Sequence, residues 1–147
     1  MYFDPYWWLD QCVKMIAQRF GSNRVRYDRE SYKWLMVYGF PLPKWWLQNS
    51  TNLLIVLPPA GNIDTHPPDR FYVGQGLRTV SGLVTEHYYE EAWHFNDMAH
   101  YGWARISIHM ESWYPSADVV SGHNLSHVLD IVYRELDKWA KQAEGVW

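Results

Sequence analysis

The sequence predicts an α+β fold on two observations: an amphipathic helical pattern near each end, and between them short period-two runs separated by Pro, Gly and Asn. Helices segregated from strands in this way pack on one face or end of an antiparallel sheet. A third observation sets the scale. At 147 residues the chain has the length of one domain with one well-filled core, so a single domain over 1–147 is expected.

Asp4 before Pro5 is a helix start, with the aspartate as N-cap and the proline at the first helical position. Trp8, Cys12, Met15, Ile16 and Phe20 follow at helical spacing, and Gly21 ends the helix. Cys12 falls on the apolar face, where a free cysteine behaves as a small hydrophobe.

The period then shortens. Residues 24–28 and 32–39 predict a pair of strands joined by a polar turn at Arg29 to Ser31. Phe40-Pro41-Leu42-Pro43 predicts the end of the second strand, because proline fixes φ and removes a ladder donor. Residues 53–57, apolar on both faces, predict a central strand ended by Pro58-Pro59, and residues 70–73 predict a fourth strand after a Pro-rich loop. A four-stranded antiparallel meander is the expectation. Between Gly74 and Gly102 the pattern weakens, with a candidate helix inside 86–100 that sets Tyr89, Trp93 and His94 on one side. Asn124 caps a final helix whose stripe is Leu125, Val128, Leu129, Val132, Leu136 and Trp139.

Ten Trp, eleven Tyr and five Phe supply a heavy aromatic load for the core and for an interface. A formal charge of −3 with no run of like charges gives no basic footprint, so nucleic acid is not an expected partner. The longest apolar run, 53–57, is too short to span a bilayer, and the start of the chain lacks a basic region followed by an apolar signal core. One cysteine cannot form an internal disulfide. Together these predict a cytoplasmic protein without a membrane partner.

The segment Gly102 to Pro115 carries the candidate chemistry. In extended chain, residues two apart project from one face roughly 6 to 7 Å apart, so Ser107 and His109 become neighbours. A serine hydroxyl becomes a useful nucleophile when an adjacent base accepts its proton. Polar residues alternating with Ile106, Ile108 and Met110 are equally what any half-buried strand presents.

A resemblance adds to this reading. Gly39-Phe40-Pro41-Leu42-Pro43, Leu54-Ile55-Val56-Leu57-Pro58-Pro59, Pro68-Asp69-Arg70-Phe71, Trp103-x-x-x-Ser107-x-His109 and Trp113-x-Pro115 occur in an order similar to that of the ubiquitin-conjugating-enzyme (UBC-like) fold. More specifically they resemble a divergent bacterial branch of that superfamily, prokaryotic family E, over roughly residues 37–136. The resemblance implies a transferase that accepts a ubiquitin-like protein from a ubiquitin-activating-enzyme-like (ThiF-type) protein and passes it to an amine of a target protein, without a cofactor. The family's acceptor cysteine is missing before the tryptophan. Ser107 is its nearest equivalent, which implies an oxyester in place of a thioester, with His109 as base. His94-Phe95-Asn96 echoes the family's His-Pro-Asn with a longer gap to the acceptor, making Asn96 the candidate oxyanion donor. Asp118, just past Trp113-x-Pro115, is a candidate for orienting or deprotonating an incoming lysine, and equally for a helix cap.

Two other readings stand beside this one. A catalytically inactive member of the same fold, binding a ubiquitin-like protein or its activating enzyme as a scaffold, would also lack the cysteine. A metal site would draw on His87, Glu91, His94 and His100, with Glu91 and His94 on one helix face.

Overall fold

A computed structural model describes residues 2–146. Helix α1 is Pro5–Phe20, with the Asp4 carboxylate accepting from the N–H groups of Tyr6 and Trp7. Gly21 closes it, at φ 100° and with its N–H on the carbonyl of Ala17. Helix α2 is Leu125–Glu144, capped by Asn124 through the N–H of His127 and ended by Gly145 in the left-handed region. Cap and stop residues thus satisfy the backbone groups that a helix end leaves without partners.

Six strands, where four were predicted, form one antiparallel sheet: β1 (Val25–Tyr27), β2 (Trp34–Pro41), β3 (Ser50–Val56), β4 (Arg70–Gly74), β5 (Tyr88–Tyr89) and β6 (Trp103–Ile106). Their spatial order is β1-β2-β3-β4-β6-β5. The strands extend past two predicted ends. β2 continues to Pro41 because a bulge between Val37 and Phe40, with Gly39 at φ 64°, shifts the register and lets pairing resume with Thr51 and Ser50. Its proline then sits at the strand end, where no ladder donor is required.

The candidate helix inside 86–100 is absent. That segment holds β5, a turn in which the N–H of His94 reaches the carbonyl of Glu91, and a 3₁₀ turn at Ala99–Tyr101. His87 and Phe95 lie at φ 64° and 62°, a left-handed conformation that a helix does not accept.

Alternation divides the sheet into two faces. Leu35, Val37, Leu53, Ile55, Phe71, Val73, Ala104 and Ile106 are buried on one, in a core with Trp8, Cys12 and Ile16 of α1 and Leu129, Val132 and Leu136 of α2. On the other face the register aligns Arg26, Met36, Leu54, Tyr72, Arg105 and Tyr89 in one row across all six strands. Arg105 lies over the Phe95 ring at 4.0 Å, and the Tyr72 hydroxyl donates to Asp97, so the chain after β5 folds back over this row. Among the described residues no helix is long and apolar enough to cross a membrane.

Candidate active site

Ser107 stands one residue beyond the end of β6. Its N–H donates to the carbonyl of His87 (2.9 Å), continuing the β5–β6 ladder by one step. Ile106 and Ile108 are buried, Ser107 is half-buried and His109 is exposed, so the alternation turns the hydroxyl and the imidazole away from the core. No hydrogen bond joins them among the described residues, and the Ser107 hydroxyl has no hydrogen-bond partner there.

His109 lines a hollow of about 450 Å³ where the chain leaves the sheet and crosses the flank of α2. Glu111, Ser112, His123, Arg134 and Glu135 share this hollow, and Ser107 is not among its lining residues. His123 is held firmly. Its Nδ1 accepts from the N–H of Tyr114 (2.7 Å), its own N–H returns to the carbonyl of Tyr114 (3.1 Å), and its ring stacks on Trp113 at 5.9 Å and 8°. With Nδ1 occupied as acceptor, a neutral His123 carries its proton on Nε2 and can only donate there. The ring of His109 makes no such bond among the described residues.

Trp113 buttresses the exit from the segment. Its indole N–H donates to the carbonyl of Ile63 (2.6 Å), and its ring meets Trp8 of α1 edge-on at 6.1 Å. Gly122 lets the loop close: a Cβ there would lie 2.4 Å from the carbonyl oxygen of Tyr114.

The other two candidates are engaged in holding backbone. Asn96 is 2 % exposed; its Nδ2 donates to the carbonyls of Tyr89 (3.0 Å), Glu90 (3.1 Å) and Trp103 (2.7 Å), and its Oδ1 accepts from the N–H of Met98 (3.0 Å). An oxyanion would have to displace one of these carbonyls. Asp118 caps the 3₁₀ turn Val119–Ser121, accepting from the N–H of Val120 (3.3 Å) and the hydroxyl of Ser121 (2.7 Å).

Cys12 is buried in the core, and burial pushes its thiol up to about 12, which keeps it protonated and unreactive near neutrality. Of the histidines weighed as metal ligands, His87 packs against Trp139 of α2 at 5.2 Å with the rings tilted by 32°, and His94 stacks on Trp93 at 5.2 Å. Among the described residues no three His, Cys, Asp or Glu side chains are grouped as metal ligands would be.

Sequence reasoning passed over His123, Arg134 and Glu135. The signal was faint: the two helix residues lie just off the apolar stripe, facing the side where the 107–112 segment passes. Comparison of the chain with protein-family models, with curated proteins and with solved structures finds no match.

Proposed function

We propose that this chain is a UBC-like conjugating transferase of a bacterial ubiquitination-like pathway in the cytoplasm, with Ser107 as acceptor of the modifier. The observation that carries the reading is the Ser107 hydroxyl, half-buried at the end of β6 and without a hydrogen-bond partner among the described residues, ahead of the buttressed Trp113-Tyr114-Pro115 step. In the proposed step Ser107 Oγ attacks the thioester carbonyl of a ubiquitin-like protein carried by its activating enzyme. The C–O bond forms as the C–S bond breaks, the serine proton passes to His109, and the thiolate leaves. A target amine then attacks the ester carbonyl, the C–N bond forming as the C–O bond breaks; the departing seryl oxygen recovers its proton from His109, and the proton lost by the amine passes to the freed imidazole and on to solvent, which protonates the departed thiolate. This requires Ser107 and His109 to come within hydrogen-bond reach when the modifier is bound, as catalytic bonds commonly tighten in the complex.

A second reading, a non-catalytic scaffold for the modifier or its activating enzyme, is favoured by a specific observation. The amide of Asn96 and the carboxylate of Asp118 are spent on the chain's own backbone.

Reconstitution with the activating enzyme, the modifier and ATP tests the two. The expected outcome is an adduct that survives thiol reductants, is released by hydroxylamine, and is absent in Ser107→Ala. His109→Ala slows loading by about a hundredfold, the usual scale for losing acid–base help. Adduct formation by Ser107→Ala at the wild-type rate rejects the acceptor role in favour of the scaffold.

A further inference from the structure

The sheet ends at β5, which pairs with β6 on one side and with no strand among the described residues on the other, although Asn96 takes the carbonyls of Tyr89 and Glu90 at its end. A hollow of about 560 Å³ lies along this edge, lined among others by Thr85, His87, Tyr89, Glu91 and His94. A second, of about 350 Å³, shares Val84 and Glu86 with it and reaches Trp139 and Gln142 of α2. The two form a furrow on either side of residues 84–86.

Three features of this furrow point to a ligand. Thr85 is 5 % exposed, yet its hydroxyl has no hydrogen-bond partner among the described residues, a cost that folded chains normally avoid. The backbone N–H groups of Val84, Thr85 and Glu86 take no partner among the described residues, so an unpaired run of donors adjoins the open edge. The charge has one sign: Glu90 is neutralised by Arg78 at 2.9 Å, whereas Glu86 and Glu91 are exposed and make no ion pair among the described residues.

We propose that this edge is a docking site for an extended basic segment of a partner protein, added beside β5 as a further strand. Main-chain bonds to residues 84–88 would give it register, the hydroxyl of Thr85 would acquire a partner, and its Lys or Arg side chains would meet Glu86 beside the strand and Glu91 past its end. A strand so added lies two inter-strand spacings, about 10 Å, from the strand that carries Ser107. The inference does not rest on the chemistry of Ser107, and Ser107→Ala is expected to bind the segment unchanged.

The test uses the isotope-labelled full chain and a synthetic peptide, acetyl-Lys-Val-Lys-Thr-Lys-Val-Lys-amide, with a control in which every Lys is Glu. The expected result is a saturable change in the amide resonances of residues 84–89 with the basic peptide alone. Glu86→Lys combined with Glu91→Lys should weaken binding at least about tenfold, and both positions are exposed, so folding is preserved. Thr85→Val should weaken binding while leaving the native spectrum elsewhere intact. Equal binding of the acidic peptide, resonance changes confined to the Arg134 hollow, undiminished affinity in the charge-reversed variant, or no change at a peptide concentration of about 1 mM would each overturn the proposal.

Discussion

Cys12 illustrates how position alone decides what a residue can do. A thiol on an exposed strand would be an obvious acceptor, but this one faces the core between α1 and α2 with no exposed surface, and desolvation holds it in the neutral form. Replacing it by serine exchanges a small buried apolar group for a more polar one, with an expected cost on the order of 1 kcal/mol and the proposed conjugation intact. The native protein should resist iodoacetamide at neutral pH and react once unfolded in urea, as followed by mass spectrometry. Rapid alkylation of the folded chain, or loss of conjugation in a folded Cys12→Ser, would return the thiol to the candidate site. Asn96 makes the complementary point. Its residue type suits an oxyanion donor, but three carbonyls and one N–H already occupy its amide.

At the scale of elements, both helices were legible because their signals are local. Asp4, Pro5 and Gly21 bracket α1, and Asn124 opens α2, within a few residues of the apolar stripes they delimit. The strand pattern from β1 to β4 was legible for the same reason. Residues 75–102 were not, because their conformation is set by distant partners and by left-handed residues that are not glycine. Asn96 ties together Tyr89, Glu90 and Trp103, and His87 and Phe95 take positive φ without the residue type that announces it. The candidate site divides likewise: the Ser107–His109 alternation is sequence-local, whereas the hollow around His109 draws on His123 and Arg134 through tertiary packing. Trp113 is the joint between these parts, bonded to Ile63, edge-on to Trp8 and stacked on His123. Trp113→Ala should destabilise the fold by about 3 kcal/mol, and Trp113→Phe, which keeps a ring but loses one hydrogen bond, by about 1 kcal/mol. Urea unfolding checks both. Unchanged stability together with lost conjugation would move Trp113 from the scaffold to the chemistry.

For the whole molecule, the density of buried protonated groups predicts sensitivity to alkali. Burial pushes Cys12, Tyr72 and Tyr88 each up to about 12, from ordinary values of 9.0 for the thiol and 10.0 for the phenols. For Tyr72 the neighbouring Asp97 carboxylate adds to burial, and for Tyr88 the N–H of Leu77 works against it. The sign follows from proton counting. Below pH 9 both folded and unfolded chains hold these protons, and stability is independent of them. As pH rises past the unfolded values, the unfolded chain releases protons that the folded chain retains, so alkali draws the equilibrium towards unfolding. For the deeply buried thiol the loss approaches about 1.4 kcal/mol per pH unit until its folded value is reached, and for the two phenols, which solvent screens more, it is smaller. Against a total stability of about 5 to 15 kcal/mol, three such groups make the protein markedly less stable as pH approaches 12. The urea midpoint should therefore fall steadily from pH 9, and loss of helical circular dichroism should coincide with a cooperative rise in tyrosinate absorbance. Between pH 9 and 10 the thiol is the main contributor among these three, and it goes on contributing until about pH 12, so Cys12→Ser should decline less steeply than wild type throughout, with the clearest difference between pH 9 and 10. If the two proteins decline identically from pH 9 to 10, the thiol ionises as readily folded as unfolded, and the dry core assigned to Cys12 is wrong.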